Sequence, residues 1–439
     1  MIPGNGKAWH NTVGWRITRI MNRNRMDPLG VPNVDYDFDD SREPANRSEP
    51  NALDRWLVGQ LRSRLGESRI ALALWDEAET RYQDKAATVR FGDRSALWQV
   101  LMNPGLHFGD LYSAGRLKIT GDILAVLDEA YRYLEVNESA SRRKRRAIKP
   151  DLAASRRNIH HHYDLGNEFY RLWLDRDALQ YTCAYFADPS MTIEQAQQAK
   201  MHHVCRKLEL KAGDSVVEAG GGWGGFALFM AENYGVKVRS FNISKEQIAH
   251  SREWAKQRNL DHLVEFVEDD FRNIAGTYDV FVSIGMLEHV GPGNYRQFGE
   301  LIGRVLTPEG RGLVHSIGRD RPEPLNEWID KRIFPGAYPP TLREMMDLFE
   351  DTRLSVLDVE NIRLHYAETL RAWLQRYEEH IETVRTMFDE AFVRAWRLYL
   401  AGSLVAFLRG KLQLFQVTFA RSGVNTIPWT REHIYRRSE

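Results

Sequence analysis

One ten-residue stretch, Val216 to Gly225, constrains the fold more than any other part of the sequence. It reads Val-Val-Glu-Ala-Gly-Gly-Gly-Trp-Gly-Gly, an apolar run that ends in an acid and breaks into glycines. This pattern predicts a buried strand that turns sharply into a helix. Because Gly220, Gly222 and Gly224 lack Cβ atoms, the backbone can approach a ligand closely, and the helix start offers unpaired N–H groups. The stretch therefore predicts a nucleotide-binding turn in an α/β sheet.

The residues after this turn indicate which cofactor it binds. The glycine spacing also fits a dinucleotide fingerprint, which expects an acid about 20 residues further on to bind the ribose. The next predicted strand, Val236 to Phe241, ends instead in Asn242. The missing acid argues against a nicotinamide cofactor. It leaves room for S-adenosylmethionine, held by Asn242 and Gln247.

Composition excludes several classes of protein. A chain of 439 residues is long enough for two or three domains. Basic and acidic residues number 60 each, so the net charge gives no indication of a nucleic-acid partner. Cys183 and Cys205 form no CxxC pair, which indicates a reducing compartment and no cysteine-based zinc site. No apolar run reaches the roughly 18 residues of a membrane span, so we expect a cytoplasmic protein.

The pattern along the chain predicts five parts. Residues 1–51 form a basic segment and linker, residues 52–137 a small α+β domain, and residues 138–158 a basic linker. Residues 159–423 form the domain that contains the glycine turn, and residues 424–439 form a C-terminal tail. In the turn-containing domain strands and helices alternate, as a doubly wound sheet requires.

Two basic segments have open interpretations. Residues 1–25 interleave arginines with apolar residues, which fits a helix on an anionic bilayer or a segment that packs on its own protein. The run Arg142–Arg146 fits a solvated linker, or a contact with anionic head groups worth about 1 kcal/mol per residue. The adjacent histidines His160 to His162 point in different directions on a helix, so we predict no metal site there.

Several elements have clear signals. Residues 87–91 are predicted as a strand and residues 122–134 as a helix. Thr192 and Gln195 predict a capping box at the start of a helix that ends near Leu208. A long helical stretch is predicted from about residue 343 to residue 408, before a last strand over residues 412–419.

Acids and histidines follow the carboxyl ends of several predicted strands. Asp269 and Asp270 follow one strand, Glu288 and His289 follow the next, and His315 ends another. Ligands of doubly wound sheets bind at this edge, so these side chains are candidates for a common site. Alternatively, Glu288 and His289 cap a helix and His315 is a hydrogen-bonded core residue.

Seven separated motifs occur in the order found in one known family. They are His162–Asn167, Tyr181–Phe186, Gly220–Gly225, Ile243–Gln247, Gly285–Gly291, Ile333–Pro335 and Gln413–Gln416. Together they resemble the cyclopropane-fatty-acyl-phospholipid synthase family, which includes the mycolic acid cyclopropane synthases. The resemblance covers roughly residues 159 to 421. The chain departs from the family at Gly221, where a cysteine is usual, and at Asn242, where a threonine is usual.

This resemblance implies an α/β fold: a Rossmann-like class I methyltransferase sheet with helical insertions, preceded by a small α+β N-terminal domain. It implies transfer of a methylene group from S-adenosylmethionine to the cis double bond of an unsaturated acyl chain in a membrane phospholipid. We therefore expect peripheral contact with the inner face of the membrane and no nucleic-acid partner. The oligomeric state is not fixed by the resemblance, and a homodimer is one expectation.

The resemblance also implies the site residues. A bicarbonate ion is expected at Cys183, Glu288, His315, Ile317 and Tyr366. The residues expected at the cofactor are Tyr181, Thr182, Glu218, Gly220, Gly222, Gly224, Asn242, Ile243, Gln247, Asp269, Asp270 and Phe271. On its own, Cys183 also fits a plain buried residue.

Three other questions stay open at this point. Trp373, Trp396 and Phe407 fit either core residues or the lining of an acyl channel. A relative that yields a methyl- or methylene-branched chain would carry the same motifs, because the same cation can lose a different proton. A lipid-binding protein with a vestigial cofactor site is disfavoured, because the expected catalytic positions are intact.

Overall fold

The computed structural model describes residues 49–82, 84–137 and 165–435, which form two β-sheets surrounded by helices. The predicted N-terminal basic segment, the basic run Arg142–Arg146 and the histidines His160 to His162 lie outside these residues. The smaller sheet has three strands and the larger has seven.

The smaller sheet is built from the first part of the chain. Strand β2 pairs in parallel with β1 and antiparallel with β3. The strands are β1 (Ile70–Ala73), β2 (Ala87–Phe91) and β3 (Leu117–Gly121). The helices of this part are α1 (Ala52–Leu65), α2 (Arg94–Met102), α3 (Pro104–Ser113) and α4 (Ile123–Asn137). The structure confirms the predicted strand over residues 87–91 and the helix that begins near residue 122, whereas α1, β1 and α3 were not predicted.

The larger sheet has the strand order β6-β5-β4-β7-β8-β10-β9. Strands β4 to β8 run parallel, and β10 lies antiparallel between β8 and β9. The strands are β4 (Ser215–Ala219), β5 (Lys237–Asn242), β6 (Val264–Glu268), β7 (Tyr278–Ile284), β8 (Leu306–Gly318), β9 (Leu354–Asn361) and β10 (Gln413–Arg421). The expected doubly wound sheet is therefore present.

The helices of the second part flank this sheet and cover its edge. They are α5 (Asn167–Arg171), α6 (Ile193–Lys207), α7 (Gly225–Tyr234), α8 (Lys245–Gln257), α9 (Leu287–Val290), α10 (Tyr295–Val305), α11 (Leu342–Met345), α12 (Arg363–Glu379), α13 (Ile381–Met387), α14 (Glu390–Leu408) and α15 (Glu432–Tyr435). The predicted capping box is confirmed at α6. The Thr192 hydroxyl accepts from Gln195 N at 3.3 Å, and the Gln195 side chain accepts from Thr192 N at 2.9 Å.

The prediction of continuous helix from residue 343 to residue 408 was wrong over its first part. Residues 354–361 form β9, a strand at the edge of the sheet. Its buried side chains are few, because an edge strand packs against a neighbour on one side only. The apolar signal of this segment is correspondingly weak, and the strongly apolar helices that follow dominated the pattern.

Helix α14 forms the centre of the helical layer. It is long and apolar enough to cross a membrane by length and composition, but 72% of that stretch is buried inside the fold. Such burial is the behaviour of a core helix. Helix α14 packs against α12, and also against α3 and α4 of the first part.

Ion pairs and hydrogen bonds join the two parts of the chain. Arg332 pairs with Asp110 at 2.9 Å, and Arg409 pairs with Asp128 at 2.6 Å. The C-terminal segment is also bound to the fold, because Arg206 Nε of α6 donates to Ile434 O of α15 at 2.8 Å. Ile434 itself is buried.

Candidate active site

The glycine turn follows β4 as the sequence predicted. Gly220, Gly222 and Gly224 have φ angles of +91°, +52° and +82°, which side chains other than glycine rarely adopt. Helix α7 starts at Gly225 immediately after the turn. The N–H of Gly220 donates to Phe241 O at 2.9 Å, which ties the turn to the end of β5.

A cavity of about 440 Å³ opens beside this turn, at the carboxyl ends of the parallel strands. Eleven of the twelve expected cofactor residues line it, and their roles stay predictions. They are Tyr181, Thr182, Glu218, Gly220, Gly222, Asn242, Ile243, Gln247, Asp269, Asp270 and Phe271. A chamber of this size at this edge of a doubly wound sheet is suited to a nucleoside cofactor.

Gly224 is the expected cofactor residue that the structure places elsewhere. It is absent from the cavity wall. A Cβ at this position would lie 2.6 Å from the Phe266 ring and 2.8 Å from Ser251 Oγ. Gly224 therefore lets α7 pack closely on its neighbours, and its contact with the cofactor stays a prediction.

The Asn242 side chain braces the turn from the end of β5. Its Nδ2 donates to Gly222 O at 3.0 Å and to Gln247 Oε1 at 2.8 Å, while its Oδ1 accepts from Ser244 N at 3.1 Å. Nε2 of the cavity-lining Gln247 is buried and has no hydrogen-bond partner among the described residues. This pair therefore offers a donor to a ligand in the cavity.

Glu218 provides a carboxyl group in the cavity wall. It accepts a hydrogen bond from Ser240 Oγ at 2.6 Å, and burial raises its pKa to about 7. A Cβ on Gly221 would fall 1.9 Å from that same Ser240 Oγ and 2.9 Å from Glu218 Oε2. Glycine at position 221, where the resembling family has cysteine, thus leaves room for the Ser240–Glu218 hydrogen bond.

The residues after β6 shape the wall through local contacts. Asp270 caps the short 3₁₀ turn that follows, and it pairs with Arg272 at 2.6 Å. Asp269 Oδ1 accepts from Asp270 N at 2.7 Å. The Phe271 ring packs edge-to-face on Phe298 with ring centres 5.1 Å apart.

The five residues expected at a bicarbonate ion do not line the cavity. Glu288 and Ile317 are in direct contact, since Glu288 Oε1 accepts from Ile317 N at 2.6 Å. The other oxygen, Glu288 Oε2, is buried and has no hydrogen-bond partner among the described residues. Burial raises the pKa of this carboxyl to about 7, so a large fraction is protonated at neutral pH.

The other three residues of this set are also buried. His315 Nδ1 lies 3.2 Å from Gln416 Nε2, and burial lowers the His315 pKa to about 3, which keeps the ring neutral. Burial raises the pKa of the Cys183 thiol, which donates to Ala184 O at 3.1 Å. Cys183 is therefore a thiol and not a thiolate nucleophile. Tyr366 belongs to the same apolar cluster as Cys183.

An aromatic cluster adjoins the cavity through Tyr181. The Tyr181 ring lies 5.2 Å from Trp173 and 5.5 Å from Trp373, and its hydroxyl lies 2.8 Å from that of Tyr399. Tyr366 packs edge-to-face on Trp373, with ring centres 5.9 Å apart. The residues that sequence left open, Trp373, Trp396 and Phe407, are all buried in this cluster.

One polar residue beside the cavity was missed by the sequence reasoning. Lys200 of α6 is wholly buried and donates to Thr182 Oγ1 at 3.0 Å. The sequence contained a sign of this buried lysine. The polar residues Gln197, Lys200 and Lys207 recur at helical spacing on the buried face of a helix whose start was correctly predicted. Within the described parts of the chain no group of three or more His, Cys, Asp or Glu could hold a metal ion.

Known proteins share the sequence pattern and the fold of this chain. Residues 151–417 match the family model described as mycolic acid cyclopropane synthetase. The chain is 35% identical over 382 residues to a "Probable fatty acid methyltransferase" of Pseudomonas putida, covering 84% of this chain and 96% of that protein. It is 37% identical over 265 residues to the cyclopropane-fatty-acyl-phospholipid synthase of Escherichia coli strain K12, covering 60% and 68% of the two chains.

Solved structures give the same result. The cyclopropane synthase MmaA2 from Mycobacterium tuberculosis superposes with a TM-score of 0.59 at 28% identity, covering 63% of this chain and all of that one. The mycolic acid cyclopropane synthase CmaA1, solved with SAH and CTAB, gives a TM-score of 0.58 at 28% identity, with 63% of this chain and 100% of that chain covered. The chain therefore belongs to the mycolic acid cyclopropane synthetase family and has the fold of class I S-adenosylmethionine-dependent methyltransferases.

Proposed function

We propose that this protein transfers a methylene group from S-adenosylmethionine to the cis double bond of an unsaturated phospholipid acyl chain, forming a cyclopropane ring. The observation that carries the proposal is the position of Tyr181. Its side chain lines the cofactor cavity and also packs in the buried aromatic cluster. A methyl donor in the cavity and an acyl chain among the aromatics would therefore meet at one residue.

The methyl donor and the double bond of the acyl chain need little more than alignment in a site that excludes water. When bound, S-adenosylmethionine supplies the methyl group as a sulfonium, a strong alkylating group. The chain's own contribution is to exclude water, because Trp173 and Trp373 beside Tyr181 are fully buried. Alkylation of an alkene leaves a carbocation, which water would capture. Aromatic faces such as Tyr181 and Tyr366 stabilise a cation without reacting with it.

Ring closure then requires loss of a proton, and the residues around Glu288 fit a bicarbonate ion for this task. An ionised Glu288 would repel the anion. The raised pKa of Glu288 makes the protonated form available, and its Oε2, which has no hydrogen-bond partner among the described residues, can then donate to it. Residues Cys183, His315, Ile317 and Tyr366 would complete the site. Bicarbonate, when bound, would supply the base.

Product analysis tests the proposal directly. Purified protein is incubated with S-adenosylmethionine and vesicles of a phospholipid that carries a cis-monounsaturated chain, and the acyl chains are then examined by mass spectrometry and proton NMR. We expect a mass gain of one methylene group together with the upfield proton signals of a cyclopropane ring. A methylene gain without ring protons would contradict ring formation.

One comparison favours a second candidate function. The relative that matches 84% of this chain is named a fatty acid methyltransferase. The same cation gives a methyl- or methylene-branched chain when a different proton is lost. The NMR experiment separates the two, because a branched product has methyl or alkene signals in place of ring signals.

Access to a phospholipid requires contact with the bilayer, so we also propose that this cytoplasmic protein binds the inner face of the membrane. We further propose that it assembles as a homodimer. Exposed Trp56 of α1 and exposed Trp98 and Met102 of α2 support a membrane contact, because tryptophan favours the membrane–water interface. Arg94 of α2 pairs with Asp54 of α1 at 2.8 Å, which joins the two helices. Vesicle flotation and light scattering test the two points.

A further inference from the structure

Lys200 lies directly behind the wall of the cofactor cavity. Its side chain is fully buried, and its Nζ donates to Thr182 Oγ1 at 3.0 Å and to Gln180 Oε1. Nζ also lies 5.8 Å from the centre of the Phe226 ring. Gln180, Thr182 and Phe226 all line the cavity, whereas Lys200 does not. Lys200 therefore touches three wall residues from the protein side.

A buried ammonium group is costly, so its presence calls for a reason. Burial lowers the Lys200 pKa to about 8, which leaves the group mainly charged at neutral pH. Asp175 and Glu218 oppose that shift electrostatically, and the thiols of Cys183 and Cys205 and the His315 ring also lie near the group. The cation is thus retained in a site where an apolar side chain would cost less.

The segment that Lys200 holds needs fixing from outside. Leu179, the first residue of that segment in the cavity wall, has a φ angle of +47°, in the left-handed region. From α6, Gln197 Nε2 donates to Thr182 O at 2.7 Å and to Gln180 O at 3.4 Å. Gln197 thus holds the backbone of the segment, and Lys200 holds its side chains.

We propose that Lys200 is a positioning residue that keeps the side chains of Gln180 and Thr182 in the shape that binds S-adenosylmethionine. The proposal rests on the cofactor site described above. It assigns to Lys200 an effect on cofactor affinity that it exerts through two neighbours, without contact with the cofactor.

The main test is Lys200→Met, which keeps the length of the side chain and removes its donors. We expect the Kd for S-adenosylmethionine to rise about tenfold or more, the effect of losing hydrogen bonds to a charged donor. The Kd for S-adenosylhomocysteine, which lacks the sulfonium charge, should rise by a similar factor, because wall geometry and not charge repulsion is altered. Calorimetry on the purified full chain measures both values.

Lys207 provides a matched control on the same helix. It is also buried, and its Nζ lies 2.6 Å from Glu360 and 3.7 Å from Asp358, away from the cavity wall. Lys207→Met should lower the thermal stability and leave both Kd values unchanged. A merely structural role of Lys200 predicts the same behaviour for the two variants.

Two further variants separate the contact from the fold. Lys200→Gln keeps an amide donor and should bind S-adenosylmethionine with intermediate affinity. Thr182→Val removes one acceptor, and it should weaken binding less in the Lys200→Met background than in the wild type. If Lys200→Met does not fold, Lys200→Gln and Thr182→Val still decide the question, because unchanged affinity in both would overturn the proposal.

Three results would overturn the positioning role. They are wild-type affinity in Lys200→Met, an equal loss of affinity in Lys207→Met, and tighter binding of S-adenosylmethionine with unchanged S-adenosylhomocysteine, which would indicate charge repulsion instead. A wild-type protein that binds neither compound would contradict the cofactor site itself and not the role of Lys200.

Discussion

Glu288 Oε1 accepts a hydrogen bond from the backbone N–H of Ile317 at 2.6 Å, while its second oxygen is buried without a hydrogen-bond partner among the described residues. This contact joins α9 to the end of β8. It fixes the direction of a carboxyl group whose pKa is raised to about 7 by burial.

Glu288→Gln should slow turnover and spare cofactor binding. The amide keeps the shape and the acceptor for Ile317 N, but it cannot exchange a proton with a bound anion. The variant should therefore hold the bicarbonate less well, and loss of a positioned base costs about 10²- to 10⁴-fold in rate. We expect a fall of that order in kcat, with the Kd for S-adenosylmethionine unchanged. Single-turnover kinetics and calorimetry measure the two quantities.

A second experiment varies the concentration of dissolved carbonate in the activity assay. Removing dissolved carbonate should impair the wild type, and adding bicarbonate should restore it more fully than it restores Glu288→Gln or Tyr366→Phe. Full activity of Glu288→Gln together with indifference to carbonate would exclude the bicarbonate proposal and leave the methyltransferase assignment intact.

The raised pKa of Glu288 also predicts how stability depends on pH. The folded carboxyl binds its proton more tightly than the unfolded one, with a pKa near 7 against 4.5. Its stabilising contribution is therefore complete below pH 4.5 and is lost as the pH rises through 7. Glu288→Gln should gain stability relative to the wild type between pH 5 and pH 8, by on the order of 1–3 kcal/mol. Urea unfolding at pH 5 and pH 8 measures the free energy of unfolding of both proteins. Glu253→Gln is the control, because Glu253 is exposed.

Gly222→Val and Gly224→Ala should separate binding from folding. A Cβ on Gly222 meets no atom within 4 Å, in a residue that lines the cavity. Its substitution should therefore abolish cofactor binding, while the left-handed φ of +52° costs about 1–3 kcal/mol of stability. A Cβ on Gly224 would meet Phe266 at 2.6 Å, so that variant should lose about 1–3 kcal/mol of stability. Near-normal cofactor affinity in folded Gly222→Val would show that the cofactor lies elsewhere.

Gly221→Cys, which restores the residue usual in the family, should weaken cofactor binding in this chain. The new Cβ would fall 1.9 Å from Ser240 Oγ, so Ser240 must move and release Glu218. Adding Ser240→Ala removes the crowded hydroxyl and should recover stability by about 1 kcal/mol. Thermal unfolding and calorimetry of the single and double variants check both effects. Equal stability of Gly221→Cys and the wild type would count against the crowding.

The basic run Arg142–Arg146 lies outside the described residues, and its contact with lipid stays a prediction. Replacing these residues with glutamine should reduce sedimentation with anionic vesicles at low salt. The difference should shrink as salt rises, because screening already removes the attraction. Unchanged sedimentation at low salt would reject the contact.

The sequence was sufficient for the parts of the fold that have strong local signals. The glycine turn, the capping box at Thr192 and the alternation after Val216 each depend on neighbouring residues, and the structure reproduces all three. Strand β9 was missed because its partner, β10, lies more than 50 residues further along the chain. The alternation of apolar and polar residues in β9 is weak, and the segment forms a strand because it pairs with this distant neighbour.

The site was predictable to a similar extent. The motifs occupy consecutive strand ends, and eleven of the twelve residues expected at the cofactor line the cavity. The contacts that fix the cavity wall could not be predicted from the sequence. Ser240 and Gly221, like Lys200 and Thr182, become neighbours only after folding. The sequence also could not show that Gly224 lies against the packed Phe266 ring.

The hydrogen bond from Arg206 to Ile434 has a practical consequence for handling the protein. Arg206 lies on the same helix as Lys200, six residues further along the chain. Tyr435 donates to Glu360 of the edge strand at 3.4 Å. An affinity tag or surface attachment at the carboxyl end would pull on these two hydrogen bonds. Because Arg206 belongs to α6, the pull would reach the helix that carries Lys200 behind the cofactor cavity. Proteins tagged at opposite ends should therefore differ in their measured cofactor affinity.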